Sequence, residues 1–206
     1  MNIFQRITVF FVDLTSKIKW RQRSEITSED RAKIFDMLKR DYYVIATRRR
    51  NFLSTFLIAL GHFLLTRRWG YYSHVLMNTE DEVKSAEDFR LVEATFSGVH
   101  YSTFDSVFSG VDSVALLKPK SVTLDEWTAA LDAAALTLGR PYDKLFDVMG
   151  EQAMSCVEVI RFAMRGLPNY NTNFANFERM VQRKENITPQ SFYECPDFEV
   201  VWEVRR

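Results

Sequence analysis

The spacing of apolar residues predicts several helices in the first third of the chain. Residues 2–18 carry isoleucine, leucine and phenylalanine at three- and four-residue steps, which is typical of an amphipathic helix, and a basic cluster follows. Thr27-Ser-Glu-Asp30 has the form of a capping box, which predicts a second helix through Leu38. A third, strongly apolar helix is predicted over about 51–65, and it is expected to be buried or to lie at an interface, which could be a membrane surface.

Segments rich in β-branched and aromatic residues predict the strands: 41–47, 69–77, 89–95, 98–101, 113–118 and 198–204. Because most of them follow one another along the chain, we expect an antiparallel sheet. Further helices are predicted from Thr123 to Gly139, around Cys156, and over 174–181. The pattern indicates an α+β fold in which an antiparallel sheet packs against helices.

Cys156 is expected in the first turn of its helix. Apolar residues at helical spacing give this helix one buried face, and Gly166 and Pro168 end it: Val157, Ile160, Ala163 and Met164. The N-terminus of a helix favours the thiolate, which is the nucleophilic form of cysteine. A lone cysteine is more often a small buried residue, so its neighbours decide between the two interpretations.

Length, charge and cysteine content narrow the class of protein. The 206 residues predict one core domain over 38–206 with an N-terminal helical extension over 1–37. Lys plus Arg and Asp plus Glu balance at 27 each, and no basic face with interleaved aromatics indicates nucleic-acid binding. Two cysteines make no disulfide framework, and no secretion signal or transmembrane stretch is evident, so we expect a cytoplasmic protein.

Three histidines could serve a cysteine nucleophile. His62 lies in an apolar helix and is more simply a core or surface histidine, and His100 follows a turn glycine in a hairpin. His74 is the best candidate, because alternation in a strand would place it on the same face as Tyr72 and Leu76. No metal-binding or phosphate-binding motif is found, so we expect neither a metal nor a cofactor.

Glu93 is an acid in the otherwise apolar segment Leu91-Val-Glu-Ala-Thr. A buried carboxylate needs a partner, and Glu93 could accept a hydrogen bond from His74 while the other ring nitrogen faces the sulfur. A carboxylate on the solvent side of an edge strand is the equal alternative.

An ordered set of segments carries a family resemblance: Leu38-Lys-Arg-Asp-Tyr-Tyr-Val-Ile, Tyr72-Ser-His-Val, Val92-Glu-Ala, Leu138-Gly-Arg-Pro-Tyr-Asp143, Ser155-Cys-Val-Glu158 and Ile187-Thr-Pro. Together they resemble the circularly permuted papain-like group of the NlpC/P60 superfamily, the YiiX/YebB-like cysteine hydrolases. Arg40 and Ser155 depart from the residues that are common in that family.

The resemblance implies a permuted papain-like fold and a hydrolase that forms a thioester intermediate. It makes Cys156 the nucleophile, His74 the base and Glu93 the orienting acid. It assigns Tyr142, and with it Tyr72 and Ser73, to the substrate site. The substrate would be a peptide or peptidoglycan-like amide or, as the alternative, an acyl lipid.

Two further points stay open at this stage. The same shell could be a non-enzymatic binding or assembly protein. Residues 1–23 could also contact a membrane surface, although packing against the chain's own domain is commoner. The sequence does not determine the oligomeric state.

Overall fold

The computed structural model describes Leu14 and residues 25–49, 53–79, 85–143, 152–184 and 187–206. The strands are β1 (Val44–Arg48), β2 (His74–Asn78), β3 (Arg90–Thr95), β4 (Gly98–Thr103), β5 (Ser113–Pro119) and β6 (Phe198–Arg205). The helices are α1 (Ser28–Leu38), α2 (Leu53–Thr66), α3 (Phe104–Phe108), α4 (Leu124–Ala135), α5 (Cys156–Arg165), α6 (Tyr170–Asn173), α7 (Ala175–Lys184) and α8 (Pro189–Glu194). Apart from Leu14, the helix predicted over 2–18 and the basic cluster after it lie outside the described residues.

The six strands form one sheet in the order β4-β3-β2-β1-β5-β6, and every neighbouring pair is antiparallel. The first four strands follow the chain, and β5 then pairs with the free side of β1. The predicted α+β fold with an antiparallel sheet packed against helices is confirmed.

Both faces of the sheet are covered by apolar side chains. Val44, Ala46 and Val75 belong to a core that they share with α4, α5 and α7. Ile45 and Leu76 point to the opposite core, which includes residues of α1 and α3. Strands buried on both faces read as nearly continuous apolar runs, which is why β1 and β5 show little alternation in the sequence.

Helix α1 is held by its capping box and by the second core. Asp30 N lies 3.1 Å from Thr27 Oγ1, and Thr27 N donates to Asp30 Oδ2 at 2.9 Å. Ile34 and Leu38 are buried against the sheet. Residues at the end of the predicted extension therefore share the sheet's core, while the boundary between 37 and 38 stays a prediction.

The strand predicted over 69–77 begins only at His74. The side-chain Oε1 of Gln190 accepts hydrogen bonds from the backbone N–H groups of Tyr71 at 2.8 Å and Tyr72 at 3.0 Å. These two residues are therefore tethered to α8 instead of continuing β2. As a result Tyr72 packs in the core that contains α5, whereas Leu76 packs in the opposite core, and the predicted common face is wrong.

Short helices and one helix face also differ from the predictions. Helices α3 and α8, of 5 and 6 residues, were not predicted. In α4 the buried residues are Trp127, Ala130 and Ala134, while Leu124 is exposed, although its helical spacing predicts that it shares one apolar face with them. Leu124 is the first residue of α4 and lies at its open end.

Candidate active site

Cys156 is the first residue of α5, within the first turn that the apolar spacing predicts. Ser155 is the N-cap, and its backbone N–H donates to Glu158 Oε2 at 2.7 Å, so the Ser-x-x-Glu sequence fixes where the helix begins. Cys156 is only 5% exposed. The sulfur therefore lies at the positive end of the helix in a largely desolvated position.

The Cys156 sulfur lies close enough to the His74 imidazole to raise the pKa of the ring. Nε2 of the same ring lies 2.7 Å from Glu93 Oε2. Since Nε2 is engaged by the carboxylate, Nδ1 is the nitrogen left for the sulfur. The structure thus brings together the three residues that the sequence singled out, in the order sulfur, imidazole, carboxylate.

The local charges favour a protonated imidazole. Burial of the ring would by itself lower the pKa of His74, but the Cys156 sulfur and the Glu93 carboxylate raise it to about 10. Burial would likewise raise the pKa of Glu93, but the hydrogen bonds from His74 and Ser102 and the charge of the imidazole lower it to about 2. A cationic imidazole beside a sulfur favours the thiolate form.

Glu93 is buried and held from several sides. Ser102 donates its hydroxyl to Oε1, the oxygen that does not face His74, and His100 Nε2 lies 3.8 Å from that oxygen. Of the two interpretations left open by the sequence, the structure therefore has the buried, partnered carboxylate.

Strand register explains how these side chains meet. Glu93 pairs with His100, so Ser102, two residues further along β4, is the diagonal neighbour of Glu93 on the same face. Strands β2 and β3 pair at Met77↔Val92 and Asn78↔Leu91. The ladder between the described residues of these strands stops short of His74, and the site lies at that end of the sheet.

Ser102 was not predicted as a site residue from the sequence, and His100 was only a weak candidate for a role in the site. A hydroxyl in a hairpin strand is common and carries no signal by itself. The signal that could have found Ser102 is alternation: His100 and Ser102 share one face of β4, opposite the acid on β3.

Residues 139–142 place Tyr142 beside the site. The backbone carbonyl of Arg140 accepts from Val99 N at 2.9 Å, and Gly139 N donates to Val99 O at 2.9 Å, so this segment lies against β4. A Cβ on Gly98 would stand 2.6 Å from Arg140 O, so only glycine permits the close approach. The Tyr142 ring packs on Phe96 with the ring centroids 5.0 Å apart.

Tyr142 is electrostatically coupled to the cysteine. Burial, followed by the charges of Cys156, Asp143 and Glu158, raises the pKa of the Tyr142 phenol well above its usual value. The phenol is therefore neutral at physiological pH and can act as a hydrogen-bond donor.

A cleft of about 390 Å³ opens next to these residues. Its walls include His74, Glu93 and Tyr142, together with other polar and apolar side chains: Thr47, Arg49, Thr55, Ile58, Ser73, Ala94, Thr95, Phe96, His100, Ser106 and Val107. Cys156 is not among the residues that line the cleft, but it neighbours His74 and Tyr142, which do. The positive charge of Arg49 is fixed in the wall, because its guanidinium donates to the carbonyls of Ser106 and Val107 at 3.0 and 2.9 Å.

The three residues assigned to the substrate site have different surroundings. Ser73 and Tyr142 line the cleft. Tyr72 does not: it is buried, and its hydroxyl donates to Glu203 on β6. Tyr72 therefore has a packing role in this structure and is not carried into the proposal below.

The remaining histidine and cysteine lie elsewhere. His62 is buried on α2, and its Nδ1 lies 2.7 Å from Thr188 Oγ1, which fits the core histidine expected from the sequence. Cys195 follows α8, and burial raises the pKa of its thiol to about 12, so this thiol stays protonated near neutrality.

These elements define an α+β protein with a six-stranded antiparallel sheet and a cysteine–histidine–glutamate cluster at one end of it. No family model matches the chain, and no curated protein matches it. Among solved structures, the chain is similar to the crystal structure of the metalloprotein YiiX from Escherichia coli O157:H7, DUF1105. The TM-score is 0.59 at 15% sequence identity, and the match covers 82% of this chain and 99% of the YiiX chain. The likeness shows a YiiX-like fold, while membership of the NlpC/P60 superfamily stays a prediction.

YiiX is named a metalloprotein, so we tested whether this chain has a corresponding donor set. Within the described ranges, no group of three His, Cys, Asp or Glu side chains is arranged to hold a metal ion. These residues do not fit such a group, and no metal enters the mechanism proposed below. In the same part of the chain, no helix has both the length and the apolar character needed to span a bilayer.

Proposed function

We propose that the chain is a cysteine hydrolase in which Cys156 is the nucleophile, His74 the general base and acid, and Glu93 the residue that orients His74. One observation carries the proposal: a single imidazole lies 2.7 Å from a buried carboxylate and close enough to the Cys156 sulfur for the sulfur to raise its pKa. Covalent acyl transfer requires a nucleophile, a base that contacts it, and an acid that orients the base.

The proposed reaction has two steps. The Cys156 thiolate attacks the carbonyl carbon, the bond to the leaving amine or alcohol breaks, and protonated His74 gives its proton to that leaving group. Water, deprotonated by His74, then attacks the thioester carbon and releases the acid and the Cys156 thiolate. The backbone N–H of Cys156 is at the start of α5, where helical N–H groups point outward, so it can stabilise the oxyanion.

The first candidate substrate is a peptide or peptidoglycan-like amide, which is the substrate that the sequence resemblance implies. The cleft has a size that suits part of such a substrate, and it mixes hydroxyl, apolar and cationic walls. We expect the scissile group to reach the sulfur past Tyr142, with Ser73 at the cleft wall as a hydrogen-bond partner.

An acyl lipid ester is the second candidate. The observation that favours it is the solvent-facing apolar side of α2, a helix that also contributes Thr55 and Ile58 to the cleft. In either case the bond broken is at an acyl carbon, and the same residues act.

Paired cysteine variants test the proposal. The full chain, Cys156→Ala and the control Cys195→Ala are incubated with one library of amide substrates and one of esters. We expect hydrolysis by the wild type and by Cys195→Ala, and none by Cys156→Ala at unchanged melting temperature. Activity in Cys156→Ala would overturn the nucleophile assignment.

Thiol labelling separates the enzyme from a non-enzymatic binding or assembly protein. At about pH 6, iodoacetamide should label Cys156 and leave Cys195 unmodified, because only the former has an imidazolium partner. Equal and slow labelling of both cysteines would favour the binding protein.

A further inference from the structure

An ordinary surface helix turns its apolar side toward the protein interior. Helix α2 instead turns its apolar side toward solvent. Among the side chains of α2 that the structure describes, the buried ones are small or polar: Thr55, Ala59 and His62. Its solvent side carries large apolar residues: Phe56 is 45% exposed, Leu57 40% and Leu64 63%.

These exposed residues form one continuous surface. At about 100° per residue, positions 56, 57, 63 and 64 fall within roughly one third of the helix circumference. Trp69, 57% exposed, follows the helix and stacks on Phe63 with the ring centroids 4.9 Å apart. We call this surface the α2 apolar face: Phe56, Leu57, Phe63, Leu64 and Trp69.

Specific polar contacts fix the orientation of α2. Thr55 Oγ1 donates to Arg49 O at 2.6 Å, and His62 Nδ1 lies 2.7 Å from Thr188 Oγ1. A Cβ on Gly70 would stand 2.9 Å from the Cβ of His62, which shows how closely the chain packs on this side of the helix. Rotation of the helix to bury its apolar face would break these contacts and bury large side chains where there is no room.

The edge of the α2 apolar face is cationic. Arg67 and Arg68 follow the helix directly, are exposed, and precede Trp69. Each of these residue types suits a different part of a lipid bilayer surface. Aliphatic side chains suit the apolar acyl region, tryptophan suits the headgroup level, and arginine suits the anionic charge of the headgroups. A protein partner would require no such layering of apolar, aromatic and cationic groups.

We infer that the α2 apolar face docks on the surface of an anionic phospholipid bilayer. Thr55 and Ile58 of the same helix line the cleft, so docking holds the cleft at the membrane surface. Docking does not require the proposed hydrolase chemistry, but it deepens that proposal by making acyl lipids or membrane-anchored amides the accessible substrates.

Vesicle flotation tests docking on the full chain. The vesicles are phosphatidylcholine alone or phosphatidylcholine with about one quarter phosphatidylserine. The test variant is Leu57→Gln/Leu64→Gln. Its matched control is Leu124→Gln/Leu136→Gln, which replaces two leucines of comparable exposure, 56% and 75%, at the two ends of α4. Arg67→Asn/Arg68→Gln tests the cationic edge, and asparagine suits the positive φ of 61° at position 67.

We expect the wild type, the α4 control and Cys156→Ala to float with the anionic vesicles. The α2 double variant should lose about tenfold or more in partition coefficient, and the arginine variant about fivefold per residue at low salt. Because Cys156→Ala tests the chemistry separately, failure of docking and failure of catalysis are distinguishable.

Absence of flotation, or flotation that the α2 variant leaves unchanged, would overturn the inference. A change of oligomeric state in the α2 variant without a change in flotation would assign the face to a second copy of the chain and overturn it as well.

Discussion

Glu93 Oε2 lies 2.7 Å from His74 Nε2, and the two residues come from antiparallel neighbouring strands whose ladder stops before this point. The carboxylate is buried and shared, because Ser102 donates to its second oxygen. Such a contact holds the imidazole in one orientation and leaves its other nitrogen toward Cys156.

Glu93→Gln should reduce turnover far more than stability. An amide can still accept from His74, but it removes the negative charge that helps to keep the imidazole protonated. We expect a loss of about 10²-fold in hydrolysis rate, while the free energy of unfolding changes by about 2 kcal/mol or less. Parallel rate and denaturation measurements check this, and equal proportional losses would contradict the orienting role.

His74→Ala should slow the labelling of Cys156 by iodoacetamide at about pH 6. The pKa of His74 is raised to about 10, so the imidazole is cationic at this pH, and a cationic neighbour makes a thiol more reactive. Equal labelling rates in the wild type and in His74→Ala would contradict a role of His74 in activating the sulfur.

The pKa values of His74 and Glu93 together define a pH window in which the protein is most stable. The pKa of His74 is raised from 6.5 to about 10, so its contribution is fully present below about 6.5 and is lost as the pH rises through 10. The pKa of Glu93 is lowered from 4.5 to about 2, so its contribution is present above 4.5 and is lost as the pH falls through 2. Denaturation of the wild type and of His74→Asn should therefore differ most between about pH 4.5 and 6.5 and converge toward pH 10.

The sequence predicted those parts of the site that local chemistry determines. The apolar spacing placed Cys156 in the first turn of its helix, and both strands of the β3–β4 hairpin were anticipated. An acid in an apolar strand pointed to a buried pair, although the pattern alone left a solvent-facing carboxylate equally open. Alternation, register and capping act over a few residues, which is why a single sequence reveals them.

Features that depend on distant contacts could not be predicted. Gln190 accepts from the backbone of Tyr71 and Tyr72, 118 or more residues earlier, and so shortens β2. The outward orientation of the apolar side of α2 depends on the contact between His62 and Thr188. No periodicity signals either contact, because periodicity indicates only which residues share a face and not what covers that face.

Ser102→Ala should impair the site through Glu93. Removing the hydroxyl leaves one oxygen of a buried carboxylate without that donor, which typically costs about 1–3 kcal/mol. We also expect the stability that Glu93 contributes to be lost at a higher pH on acidification, because the hydrogen bond from Ser102 helps to lower the pKa of Glu93. Ser102→Thr should restore this pH dependence, and Ser97→Ala, at an exposed hydroxyl before β4, is the control. A change in stability with an unaltered pH dependence would limit Ser102 to a structural role.

Gly98→Ala should displace the segment that carries Tyr142. The φ of Gly98 is +105°, and an added Cβ would meet the carbonyl oxygen of Arg140 at 2.6 Å. The backbone must then move away from β4, so we expect a loss of about 2 kcal/mol or more in stability, together with reduced hydrolysis.

Gly110→Ala is a matched control, because its φ is also positive, at +71°, but an added Cβ there meets nothing within 4 Å. That control should lose only about 1 kcal/mol, the cost of the left-handed conformation, and keep full activity. Equal effects of the two substitutions would show that backbone strain alone, and not the contact with Arg140, explains the requirement for glycine at position 98.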